Sequence, residues 1–294
     1  MARRNNQDRL KAPGPTPDAS PAAFVEAENS AQPQKGGLLS FVAPTEFVEL
    51  PSRGKFYSKD HPLHNKDVVE IRFMTAKHED ILSSPTLLRK GVAVDRLLAD
   101  LVVDKSINVD SLLIGDKNAV TIAARKTGYG SDYTIGVTCP ACFTNVKHKF
   151  DLDKLENNFP EKEDLKDLNI TLTKNNTFMI DLPVTKVKVE LKLLTGQDDK
   201  ALDNYRKMMK KHSGVEIGLS DQIKQMIASA NGEEDSNLIG QFVDNMPAMD
   251  SKFIRACYAA VMPNVSMKQD FKCPACDHDE EVDIPLTAEF FWPR

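Results

Sequence analysis

The most regular hydrophobic pattern in the chain is Thr185-Lys-Val-Lys-Val-Glu-Leu-Lys-Leu-Leu194, where apolar and charged positions alternate through Leu193. A two-residue period predicts a β-strand, with Lys186, Lys188 and Lys192 on its wet face. Val68-Val-Glu-Ile-Arg-Phe-Met74 alternates well enough for another strand. Asn169–Thr173 and Thr177–Leu182 flank the turn-like Lys174-Asn-Asn176, which predicts a hairpin. Elsewhere the period becomes helical. Thr75 is placed to cap a helix that buries Ile81 and Leu82 and is interrupted by Pro85. Gly91 opens a second helix, with Val94, Leu97, Leu98, Leu101 and Val102 on one face. Asp116 stands as the N-cap of a third, which runs to Lys126 and stops at Gly128-Tyr-Gly130. Residues 155–168 read as partly helical, and further helices are expected over 198–211, from Ser220, over 233–245 and over 251–261.

Two segments break this pattern by repeating each other. Ser131-Asp-Tyr-Thr-Ile-Gly-Val-Thr leads into Cys139-Pro-Ala-Cys142, and Val265-Ser-Met-Lys-Gln-Asp-Phe-Lys leads into Cys273-Pro-Ala-Cys276. Each knuckle has a strand-like entry and a strand-like exit, so each reads as the tip of a β-hairpin. Four of the five cysteines lie in these tetrapeptides. Two Cys-x-x-Cys pairs supply the soft tetrahedral ligand set of a structural zinc site, with Cys139, Cys142, Cys273 and Cys276 as ligands of one Zn2+. A site closed by four thiolates leaves no position for water or substrate. Other readings stay open. A redox dithiol would need a helix N-terminus behind the motif. His148 and His278 follow the knuckles and could each replace a cysteine. Phe143 and Asp277 stand where an ordinary zinc ribbon has Gly. The fifth cysteine, Cys257, reads as a small core residue of a helix.

The long stretch between the knuckles implies an insertion. The predicted fold is α+β, with helical segments and two zinc-knuckle β-hairpins sharing one site. The expected organisation is a disordered N-terminal arm over 1–37, a zinc-stapled core domain from 38–152 and 248–294, and an inserted α/β subdomain of hairpin and helices over 153–247. The arm is rich in Pro, Ala, Gln and Asn, and buries too little to offset its ordering entropy. A net charge of −5 and a charged share of 28% give no general attraction to nucleic acid. No apolar run reaches membrane-spanning length, and no secretory signal is legible. Phosphate-binding, nucleophile-elbow and zinc-protease motifs are missing from the sequence, so no enzyme is expected and no catalytic residue is assigned.

Several pieces then combine. They are Leu50-Pro-Ser-Arg-Gly-Lys-Phe-Tyr57, Met74-Thr-Ala-Lys-His-Glu-Asp-Ile-Leu82, Leu113-Ile-Gly-Asp-Lys117 with Arg125 and Tyr129-Gly130, the two knuckles, and Phe290-Phe-Trp-Pro293. In this order they resemble the baseplate hub subunits of T-even-like contractile-tailed bacteriophages. The resemblance covers about residues 45–150 and 250–294 and is vaguer in the insert. It implies a structural protein of the virion tail baseplate, synthesised in the host cytoplasm, or a non-virion factor used while the baseplate assembles. Its partners would be other baseplate and tail proteins, met through the N-terminal arm and through Phe290, Phe291 and Trp292. From the residues alone, the aromatic segment reads first as an end docked into the core, with a hook for another subunit as the rival. A zinc-ribbon protein that binds nucleic acid in replication or transcription is the competing class, with Lys147, His148, Lys149 and Lys272 as its phosphate contacts.

Overall fold

The computed structural model describes residues 44–212, 218–284 and 288–291. The arm over 1–37, the start of order expected at Leu38, and Trp292 lie outside these residues.

A short antiparallel pair opens the fold, β1 (Thr45–Glu49) against β2 (Val68–Arg72), with Val48 facing Val69. The long turn between them carries the Leu50–Tyr57 motif. Three helices follow, α1 (Ala76–Ser83), α2 (Pro85–Lys90) and α3 (Ala93–Leu101). Here the structure corrects the sequence reading. Gly91 does not open a helix; it closes α2 in the left-handed conformation, φ 72°, which a residue without Cβ adopts freely. The helix α4 (Ile114–Tyr129) begins before Asp116, so Asp116 is not its N-cap but a buried residue of its first turn. Next to it, a Cβ on Gly115 would stand 1.8 Å from the carbonyl oxygen of Pro263, so only Gly allows this close approach.

The first knuckle hairpin pairs β3 (Asp132–Thr138) with β4 (Asn145–Asp151). A two-residue strand β5 (Asn157–Asn158) and a short helix α5 (Lys162–Asp167) fill the segment read as partly helical. Then β6 (Thr171–Leu172), β7 (Phe178–Asp181) and β8 (Lys188–Leu191) form consecutive antiparallel neighbours. The alternation in β8 is real: Val189 and Leu191 are buried and Lys188 is exposed. After α6 (Gly196–His212) and α7 (Leu219–Met226), the chain returns as β9 (Ile227–Ala230) beside β8, giving the sheet order β6-β7-β8-β9. The helix expected from Ser220 through Ala228 therefore ends earlier, because Ile227 leaves it to pair with Leu191. The helices α8 (Ser236–Asn245) and α9 (Ala248–Val261) lead through β10 (Asn264–Val265), which pairs with β5, to the second knuckle hairpin, β11 (Lys268–Lys272) against β12 (Asp279–Asp283).

One hydrophobic cluster runs through these elements, from Val48 and Leu50 through Leu97, Leu101 and Val120 to Phe178, Val189, Ile254 and Phe290. Cys257 is part of it and fully buried, and burial raises its thiol to about 11. Among the described residues no helix is long and apolar enough to cross a membrane.

Candidate metal centre

Both hairpins end in the same backbone turn. In the first, the Cys139 amide donates to the Thr144 carbonyl (3.0 Å) and the Phe143 amide donates back to the Cys139 carbonyl (2.9 Å). In the second, Cys273 donates to His278 (2.8 Å) and Asp277 to Cys273 (3.0 Å). The residue after each second cysteine is left-handed, with φ 57° at Phe143 and 54° at Asp277. The missing glycines therefore do not change the knuckle; its geometry costs about 1–2 kcal/mol at a bulky residue such as Phe143 and less at Asp277.

These turns bring the four predicted cysteines together. Their sulfur atoms all lie within 4.8 Å of one another. Cys139 Sγ is 3.7 Å from Cys276 Sγ, and Cys142 Sγ is 3.8 Å from Cys273 Sγ. All four are free thiols. A tetrahedral ion with Zn–S bonds of about 2.3 Å needs sulfurs about 3.8 Å apart, so the donor set and the two close separations fit zinc. Electrostatics point the same way. Hydrogen bonds from Thr144, its hydroxyl first and then its amide, lower the Cys142 thiol to about 6. The amide of His278 acts to lower Cys276, but the neighbouring sulfurs, Cys142 first, push it up to about 12. Four thiolates cannot all be charged at this spacing unless a cation sits among them.

The cluster has its own small apolar seat. Cys139, Cys273 and Phe271 are fully buried, with Val137, Val146 and Val282 packed against them. His148 contributes as a packed ring rather than a ligand. It meets Phe150 edge-on at 4.6 Å and Phe271 of the other hairpin at 5.2 Å. His278 is turned to Glu280, 3.0 Å away. Among the described residues the candidate ligand group is the four cysteines alone. The hairpins are also stitched by Gln269, whose side chain donates to the Asp151 carbonyl (2.5 Å) and accepts from the Asp151 amide (3.2 Å).

The hairpins are mounted on the core by a buried arginine. Arg125, 1% exposed, donates from Nε to the Phe290 carbonyl (2.8 Å) and from its terminal nitrogens to the carbonyls of Gly130 (2.8 Å) and Asp132 (3.1 Å). One planar cation thus joins the end of α4, the start of β3 and the segment around Phe290. Phe290 packs edge-on against Tyr133 at 5.0 Å, and both Phe290 and Phe291 are buried. Those two rings are docked in the core, as the first reading of the aromatic segment has it, and this corrects the rival assignment of Phe290 and Phe291 as partner contacts.

A second buried polar group, Asp116, has no signature in the sequence beyond its place near a helix start. Asp116 accepts from the Ser52 amide (2.9 Å), the Ser52 hydroxyl (2.6 Å) and the Tyr57 hydroxyl (2.7 Å). The Tyr57 oxygen in turn accepts from the Leu113 amide at 3.0 Å. Burial raises the Asp116 carboxyl pKa despite these donors, and burial beside Asp116 raises that of Tyr57. The Leu50–Tyr57 and Leu113–Lys117 motifs are thus two halves of one lock. Nothing local in either motif reveals the other.

The knuckle pair is thus mounted on the helical body as one candidate metal centre. The family model for the T4 bacteriophage base plate protein matches residues 43–292, and the chain belongs to that family. Neither the curated proteins nor the solved structures compared with it gave a match.

Proposed function

We propose that this chain is a structural subunit of the hub of a contractile-tail baseplate, and that it holds neighbouring subunits through protein–protein contacts. The observation that carries the reading is the family match, which spans all of the described residues. In it, Cys139, Cys142, Cys273 and Cys276 hold one structural Zn2+, which when bound offsets the thiolate charge and supplies folding energy of order 10 kcal/mol. The residues do the rest: the two turns set the sulfurs, Gln269 and His148 align the hairpins, and Arg125 fixes their base. Nothing is catalysed. The competing nucleic-acid reading draws little support, since Lys149 is paired with Asp132 at 2.7 Å and β12 of the other hairpin carries exposed Asp279, Glu280, Glu281 and Asp283.

Quantitative mass spectrometry of purified tails tests the proposal. A fixed small copy number per particle is the expected result. Absence from tails with abundance in infected cells would replace it with an assembly-factor role.

A further inference from the structure

Metal ligation explains the cysteines of the knuckles and leaves their other residues unexplained. The two positions between each pair are Pro and Ala in both, and Pro140, Ala141, Pro274 and Ala275 are all exposed. The four sulfurs hold these two tips side by side. Beside them stands Phe143, with 79% of its surface exposed. Phe143 and Asp277 occupy equivalent places with nearly equal positive φ, but the two residue types differ in what that conformation demands. Asp visits the left-handed region readily; a bulky aromatic does so only under constraint. Phe143 therefore bears backbone strain while burying little of its ring within its own chain.

Charge divides the tip in the same way. Residues 133–146 contain no charged side chain, in a chain where 28% of residues are charged. The second knuckle instead carries the exposed carboxylates of Asp277, Asp279, Glu280 and Glu281. An exposed aromatic on a stiff, uncharged loop, bordered by charge, has the make-up of an interface anchor with a polar rim.

We infer that Phe143 and the two Pro-Ala tips dock into an uncharged apolar cleft of a different baseplate protein, with cationic groups opposite the carboxylates of the second knuckle. This rests on the baseplate reading above. A second copy of the chain is a poor host. Two clefts of about 510 and 150 Å3 among the described residues are both lined by charge, three carboxylates (Glu49, Asp67, Glu156) to one cation (Arg53) in the first and two (Glu46, Glu49) to Lys126 in the second, so neither offers an uncharged seat for the ring or a net positive face for the acidic hairpin. The metal's part is preorganisation: a tip already rigid loses little entropy on docking.

The test is made in whole tails, with Phe143→Gly, Phe143→Asn and a photo-crosslinking benzoylphenylalanine at position 143. Phe143→Gly relieves the strain, so the purified variant is expected to keep its zinc and melt no lower than wild type. Its copy number per tail is expected to fall about tenfold or more, as for loss of a central anchor. Phe143→Asn keeps a residue suited to positive φ and removes the ring. It is expected to fail equally, and it decides the matter if the glycine variant folds poorly. The crosslinker is expected to capture one tail protein other than this chain. Wild-type incorporation of Phe143→Asn, or crosslinks only between copies of this chain, would overturn the inference. Absence of the wild-type chain from tails would instead overturn the baseplate reading beneath it.

Discussion

Two regions of the molecule join distant parts of the chain, and they do so by opposite means. The sulfur cluster links residues 131 and 137 positions apart and sits in a small satellite seat outside the main core. The Asp116 lock links residues 59 and 64 positions apart and lies inside the body of the fold, surrounded by apolar side chains. The first has little buried surface of its own, and its four sulfurs are a set that could hold an ion. The second needs no ion, because its acceptor is met by three donors in place. A satellite seat can therefore be lost while the body survives, whereas the lock cannot open without disturbing the packing around it.

The largest effect should come from the first region. Cys139→Ser or Cys273→Ser is expected to abolish stoichiometric zinc and unfold both hairpins, forfeiting binding energy of order 10 kcal/mol. Metal analysis with amide hydrogen exchange would show protection lost over β3, β4, β11 and β12. Retained protection would break the contrast. Asp116→Ala comes next. It strands the Ser52 and Tyr57 donors in a buried site and is expected to cost about 3 kcal/mol in denaturant unfolding. Chelators should not change that loss, since the lock holds no metal.

Asp250 sharpens the comparison through pH. Its buried carboxylate accepts from the Val184 amide (2.8 Å), the Thr185 amide (3.0 Å) and the Thr185 hydroxyl (2.7 Å). Burial acts to raise its pKa, but these donors outweigh it and leave the pKa lowered. A depressed folded pKa gives stability that is present above the unfolded carboxylate value of about 3.9 and is lost as pH falls through the folded value. Asp250→Asn should therefore flatten the acid limb of the stability curve below about pH 4. An unchanged limb would assign that sensitivity elsewhere. The smallest effect is expected from Gln269→Ala. Removing its two bonds to Asp151 should cost about 1 kcal/mol, seen as faster exchange in the hairpins with zinc content unchanged.

The two regions also differ in how far the sequence discloses them. The sulfur cluster was legible because its chemistry is written locally: identical tetrapeptides, strand-like flanks and a known ligand number. Even there, the turn at Phe143 and Asp277 looked compromised until the backbone was seen to adopt it without glycine. Asp116 was misread because an acidic residue near a helix start has an ordinary local explanation, and its true donors lie far away in the chain. Gly91 failed for a related reason, since a glycine between two helical patterns can begin one or end the other. β9 was absorbed into a helix because Ile227 and Ala228 suit either state, and only the edge of β8 decides between them.

Arg125 sets a timetable for synthesis. Its Nε acceptor, Phe290, is 165 residues further on, and the partners of Cys139 and Cys142 follow them by more than a hundred. At translation rates of about 5–20 residues per second, the first hairpin leaves the ribosome on the order of 10 s before the second. During that interval Cys139 and Cys142 stand as two thiols without the other pair, open to any soft metal or oxidant the cell supplies. Maturation of this chain is thus decided late, when the second knuckle emerges and the guanidinium gains its last carbonyl.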